Sequence, residues 1–346
     1  MKVMKVKFDY GKRLKRLQAI LEEKRVDLLV LGTRESFNSN VYYYSGEDSF
    51  PCLLFVTPDS ARLYSLSQPE TRSLSAIEFE RLVDFRKQFK QALNEARASV
   101  VAVDTTSDLA APVVFDLIKR GKRVKAFGRQ LFELRLFKDS GEAFCLKRAQ
   151  ELSKKTVAKV VEKDLFGKSE NVVAGMLEKT ARDFGVALNA FPPIVLSGER
   201  AANPHGVPSA RKIARGKVLL FDVGVRFNYY CGDYSKTFFE GFGEQRDAVE
   251  AVECAFREAL RKARPGVKGR VLSNAAFKVL KEKGFEKIAF NKIGLSIGHF
   301  IGLDVHESLS LEKTILRKGM AFTVEPGVYK QGVNGFGVRF EDVVLL

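Results

Sequence analysis

The chain has 346 residues, 45% hydrophobic and 29% charged, which is long for one hydrophobic core and ordinary for two globular domains. Its 58 basic and 42 acidic residues leave a formal charge of +16. They are interleaved along the whole length, which argues against a dedicated nucleic-acid surface: the densest basic run, 12–16, has helical spacing and reads as a solvated helix face. Cysteines 52, 145, 231 and 254 form no CxxC pair and suit a reducing compartment. No secretory h-region and no apolar run near the ~20 residues of a membrane span is found, so a cytoplasmic protein without membrane contact is expected.

In the first third, Leu14, Leu17, Ile20 and Leu21 mark one face of a helix over 12–25, and 26–31 reads as a buried strand. Strands are expected at 52–57, 62–66, 100–103 and 123–127, and helices near 86–97 and 108–119. This alternation predicts an α/β domain over residues 1–135. It carries no GxGxxG, GxxxxGK[ST] or GxSxG motif, so dinucleotide, phosphate-loop and hydrolase-elbow chemistry lack their markers. Asp104 reads as a turn cap and Tyr42–Tyr44 as packing aromatics.

A long helix over 141–164 is expected to link this domain to a second one, 136–346. A further helix, capped by Ser169, should run to Phe184. His205 follows in a Pro- and Gly-rich loop. Helices at 245–263 and 268–283 lie further on, the first closed by Pro265-Gly266. The strongest signal is internal: Gly216-Lys-Val-Leu-Leu-Phe-Asp222-Val-Gly224-Val225 matches Gly319-Met-Ala-Phe-Thr-Val-Glu325-Pro-Gly327-Val328 at identical offsets. Each copy leads to another acid, Asp233 and Glu341. Two hairpin-like strand pairs facing each other would gather four carboxylates, in an α+β domain whose curved sheet carries helices on one side.

Four buried carboxylates cannot all remain ionised without cations. Two divalent ions would satisfy them, with His299 as a nitrogen ligand, and would share a hydroxide able to attack a polarised carbonyl. His205 and His306 could then act as neutral donors to the oxyanion or hold the substrate carbonyl. HExxH is absent, since Ser310 stands where its second histidine would be. Taken singly, each residue has a plainer reading: strand-end acids cap turns, and His306-Glu307 could be a surface pair. The repeat, with all three histidines in Gly/Pro-rich stretches, favours the metal site.

These residues resemble the pita-bread metallopeptidases, the family of methionine aminopeptidase, aminopeptidase P and prolidase, over roughly 140–346. The resemblance implies a pseudo-twofold pita-bread domain holding two divalent ions, Mn, Co or Zn. Its metal ligands would be Asp222, Asp233, His299, Glu325 and Glu341, with Asp233 and Glu341 bridging and Glu325 also shuttling protons. It further implies that His205 and His306 contact substrate and that Arg339, in Val-Arg-Phe-Glu-Asp, orients the ligands. A preceding α/β domain of this size is similar to those of prolidase, aminopeptidase P and creatinase. That implies cleavage of Xaa-Pro bonds in short proline-containing peptides, by a dipeptidase or an aminopeptidase, and a homodimer. Gly-His-Phe at Phe300 is shared with prolidase-like members. Departures are Lys236 for the usual arginine, Gly232 for the usual serine, and Ser310 where some dipeptidases carry a carboxylate-binding arginine. The family's short strand-turn extension is missing after Leu346. Two other readings are a metal-free creatinase-like amidinohydrolase and a non-catalytic binding module, and the complete ligand set argues against both.

Overall fold

The computed structural model describes residues 6–66, 76–307 and 309–346. The chain divides into two compact units, one spanning Val6–Arg135 and the other beginning at Leu136.

The first unit is a mixed sheet layered with helices. Its strands are β1 (Leu28–Thr33), β2 (Cys52–Val56), β3 (Ala61–Ser65), β4 (Glu78–Arg81), β5 (Val100–Val103) and β6 (Arg123–Ala126), in the order β4-β3-β2-β1-β5-β6. Among the described residues the helices are α1 (Tyr10–Glu23), α2 (Ser39–Ser45), α3 (Phe85–Glu95), α4 (Ala110–Lys119) and α5 (Gly128–Arg135). The expected α/β domain is present. α2, α5 and β4 lay outside the periodic patterns because each is short, and α2 is buried on every side. Tyr42–Tyr44 sit in α2 and are buried, as packing aromatics should be. Asp104 accepts from the Thr106 N–H and hydroxyl, a turn cap.

The second unit begins with a long helix, α6 (Ser140–Val161), closed at its start by a capping box between Asp139 and Glu142. α6 lies wholly within this unit and packs on α7 (Glu170–Asp183). β7 (Ile194–Ser197) and β8 (Leu219–Val223) follow, then a short ribbon of β9 (Arg226–Phe227) and β10 (Tyr230–Cys231), and β11 (Tyr234–Phe238). β11, β8 and β7 form one antiparallel sheet. The chain ends in β12 (Ala321–Val324), β13 (Gly327–Lys330), β14 (Phe336–Arg339) and β15 (Asp342–Leu345). Before them, α8 (Glu244–Lys262) and α9 (Arg270–Glu282) form a helical pair whose alanine- and leucine-rich faces join a hydrophobic core with β12–β14. No described helix is long and apolar enough to cross a membrane.

The internal repeat has a structural counterpart, though not as two simple hairpins. In each copy an inserted ribbon, β9–β10 or β13–β14, separates the first strand from its returning partner. β8 pairs with β11 and β12 with β15, both antiparallel. Asp233 and Glu341 each stand one residue before the returning strand. The copies are stitched together where the Glu341 N–H donates to the Ser235 carbonyl at 2.9 Å.

Candidate metal centre

Asp222 is the fourth residue of β8, a strand buried along its length, so its carboxylate emerges from apolar packing. Asp233 stands just before β11, and Ser235 and Thr237 follow at alternate positions within it. Lys236 points the other way, with its ammonium 5.1 Å from the Phe238 ring, so the departure from arginine lies on the face away from the acids. Gly232 has a plain steric reason: a Cβ there would meet the Ala149 backbone of α6 at 2.7 Å.

His299 is placed by backbone pairing beside β12. The Thr323 N–H donates to the His299 carbonyl at 2.8 Å, and the Glu325 N–H to Ile297 at 2.8 Å. Gly298 allows this approach, since a Cβ would lie 2.0 Å from the Thr323 carbonyl oxygen. The His299 ring directs Nε2 toward Asp233 (3.5 Å) and Glu325 (3.4 Å), with Nδ1 3.3 Å from the Phe300 carbonyl. Burial lowers the His299 pKa to about 4, so the ring is neutral at pH 7. With the Nδ1 proton on Phe300, the Nε2 lone pair faces the carboxylates, the tautomer a cation would need.

Ligand atoms of Asp233, His299 and Glu341 lie within 4.8 Å of one another. Burial, then repulsion from neighbouring acids, holds the Asp233 and Glu341 carboxyls well above the usual range. Glu325 is raised by burial too, with Arg339 opposing and Asp222 adding to the rise. Two carboxylate oxygens, Asp222 Oδ1 and Glu341 Oε1, are fully buried with no hydrogen-bond partner. Such orphaned acceptors are costly unless something cationic meets them. Hard oxygen donors with one imidazole are a donor set for borderline divalent ions, so the residues fit the metals the sequence implied.

Arg339 ties this arrangement together. Its guanidinium donates to Asp222 (2.5 Å), Ser235 Oγ (2.9 Å), the Pro204 carbonyl (3.2 Å) and the Tyr329 hydroxyl (3.2 Å). Ser235 then donates to Glu341 at 2.6 Å. His205 and His306 stand at the exposed rim of a cleft of about 420 Å³ that also contains all five acids and imidazoles named above. The His299 and His306 rings are 4.2 Å apart. Phe191, Pro192, Pro193, Ile194, Val207 and Val305 supply an apolar wall.

Residues 145–346 match the metallopeptidase family M24 model, and 13–159 match the Creatinase/Prolidase N-terminal domain. The chain belongs to metallopeptidase family M24. Members similar to it include an Xaa-Pro dipeptidase of Pyrococcus horikoshii, 30% identical over 97% of this chain and 94% of the relative. The crystal structure of a prolidase from Thermococcus sibiricus has a TM-score of 0.87 at 28% identity, covering 98% and 95% of the two chains. An X-Pro aminopeptidase from Thermotoga maritima gives 0.82 at 28% identity over 96% and 94%. The expected pita-bread catalytic domain behind a creatinase-type N-terminal domain is therefore the fold of this M24 peptidase.

The structure brings together every candidate from the sequence: Asp222, Asp233, His299, Glu325, Glu341, His205, His306 and Arg339. Glu307 is no surface residue. It is buried and ion-paired to Lys138 at 2.9 Å. Ser310 is exposed and is not among the residues lining the cleft. Sequence reading missed Ser235, Thr323, Tyr329 and Gln150. The first two were detectable as polar residues two positions from a candidate ligand; Tyr329 meets Arg339 ten residues on, across the β13–β14 ribbon, and Gln150 acts across 83 and 192 residues and left no local sign.

Proposed function

We propose that this M24 peptidase is a metal-dependent exopeptidase hydrolysing Xaa-Pro bonds in short peptides, foremost an Xaa-Pro dipeptidase. The observation that carries the reading is the convergence of four carboxylates and His299 in one cleft, two of their buried oxygens lacking any protein partner. Asp222, Asp233, His299, Glu325 and Glu341 would hold two divalent cations, and Glu325 would also shuttle protons. Mn(II), Co(II) and Zn(II) all suit this donor set. When bound, such cations lower the pKa of water toward neutrality and polarise a carbonyl.

The protein's own groups carry the remaining steps. Glu325, its pKa raised by burial, accepts a proton from the attacking water and returns it to the departing amine. His306, shifted down by partial burial and by His299, is neutral and can donate to the developing oxyanion. His205 lines the same cleft and holds the substrate carbonyl. Arg339 holds the Asp222 carboxylate in place. The apolar wall of Phe191, Pro192 and Val305 offers a dry surface to a pyrrolidine ring.

The aminopeptidase alternative rests on Ser310, which offers no cation to a free carboxylate, and on the similarity to the Thermotoga enzyme. The reading also includes a cytoplasmic homodimer, in keeping with cysteines that are all free. Release of proline from Xaa-Pro dipeptides, measured beside cleavage of Xaa-Pro-Yaa tripeptides after loading with each metal, decides between the two activities. No cleavage of either peptide with any of the three metals would overturn the proposal.

A further inference from the structure

Asp233 lies between β10 and β11, outside the strand ladders, so its peptide N–H and C=O need partners from elsewhere. Both are met by one side chain. The Gln150 Oε1 accepts the Asp233 N–H at 2.8 Å, and its Nε2 donates to the Asp233 carbonyl at 2.7 Å. The same Nε2 donates to Asp342 Oδ1 at 2.8 Å, the residue directly after Glu341. Gln150 is buried on α6, and Lys154, one turn on, binds the other Asp342 oxygen at 2.5 Å. One helix thus grips both backbone segments that carry the two acids assigned as bridging.

We propose that Gln150 is a positioning residue for the metal centre, fixing Asp233 directly and Glu341 through Asp342. The choice of an amide has a physical reason. Four carboxylates already crowd the site, and a further acid behind them would add repulsion, while a lysine would satisfy the Asp233 carbonyl but not its N–H. A neutral group with one donor and one acceptor serves both peptide atoms and adds no charge. Preorganising the two acids this way reduces what a cation must spend on ordering them. Removing comparable groups behind metal ligands costs 10–100-fold in affinity.

The proposal rests on the metal reading above, and its test separates the two. Titration calorimetry with Mn(II) alone, on metal-stripped wild-type protein and on the Gln150→Leu, Gln150→Asn and Gln150→Glu variants, reads affinity without turnover. The expected result is a roughly 10–100-fold weaker Mn(II) affinity in all three variants. Gln150→Asn keeps the amide but is one methylene short, so it serves as the reading if Gln150→Leu does not fold. At saturating Mn(II), the KM for the peptide should stay near the wild-type value, since Gln150 does not line the cleft. Wild-type Mn(II) binding with unchanged affinity in folded variants would overturn the role of Gln150 alone. Failure of the wild-type protein to bind Mn(II) would overturn the metal centre itself, and the role of Gln150 with it.

Discussion

Lys138 and Glu307 form an ion pair 2.9 Å long in which each side chain is only 1% exposed. Glu307 directly follows His306, and its N–H donates to the Phe300 carbonyl, so the pair anchors the turn between His299 and His306. Leaving one buried charge without its partner costs about 3–5 kcal/mol. Glu307→Ala and Lys138→Ala should each destabilise the protein by about that amount in denaturant unfolding, while the double substitution Lys138→Met with Glu307→Leu should cost less than either. A single-variant loss below about 1 kcal/mol would mean the pair is screened like a surface bridge.

Ser235 passes the hold of Arg339 on to Glu341, accepting from the one and donating to the other. Ser235→Ala breaks two hydrogen bonds to charged groups, each worth about 1.5–3 kcal/mol. Since the strands on both sides remain, the loss should fall on the placement of Glu341: weaker Mn(II) binding by calorimetry together with a lower Tm. Ser235→Thr keeps the hydroxyl and should restore binding. An alanine variant with wild-type affinity would remove Ser235 from the metal centre.

The proton-transfer role proposed for Glu325 predicts a kcat effect larger than any KM effect. Glu325→Gln should lower kcat by roughly 10²–10⁴-fold, the usual contribution of a positioned acid–base group. Removal of metal with a chelator should abolish activity, and Mn(II), Co(II) or Zn(II) should restore it. A kcat within tenfold of wild type in the metal-loaded variant would pass the proton to another group.

The metal-free protein should carry a pH signature. The folded-state pKa values of Asp233 and Glu341 lie well above the ~4 of an unfolded carboxylate. Their contribution to stability is therefore present below about pH 4 and lost as pH rises through the raised folded values. His299 works the other way. Its pKa of about 4, below the unfolded value near 6.5, gives stability that is present above about pH 6.5 and lost as pH falls through 4. At pH 7.5 the two acids are thus a liability without cations. Asp233→Asn and Glu341→Gln should each raise the Tm of the stripped protein at pH 7.5 and abolish the Tm gain on adding Mn(II). Lower stripped-protein stability in both variants would contradict the burial-driven shifts.

Much of this centre can be read from the chain because its ligands sit in short segments with fixed local requirements. Glycine before His299, alternation along 233–237 and matching offsets around Asp222 and Glu325 are constraints within a few residues. The same locality made the longer helices and strands legible, while α2, whose residues are buried on every face, offered no periodicity to read. The plainer reading of His306-Glu307 as a surface pair fails at Glu307, because burial of a charge depends on its partner, and Lys138 lies 169 residues away.

The sequence by itself determined the α/β and pita-bread classes, the five candidate ligands and the family, since residue type and spacing along strands suffice for those. Only the tertiary structure decided how the acids are held. Gln150 reaches Asp233 across 83 residues and Asp342 across 192, and Arg339 joins Asp222 to the His205 loop. Such bonds depend on which helix packs behind which strand, and no local pattern encodes that.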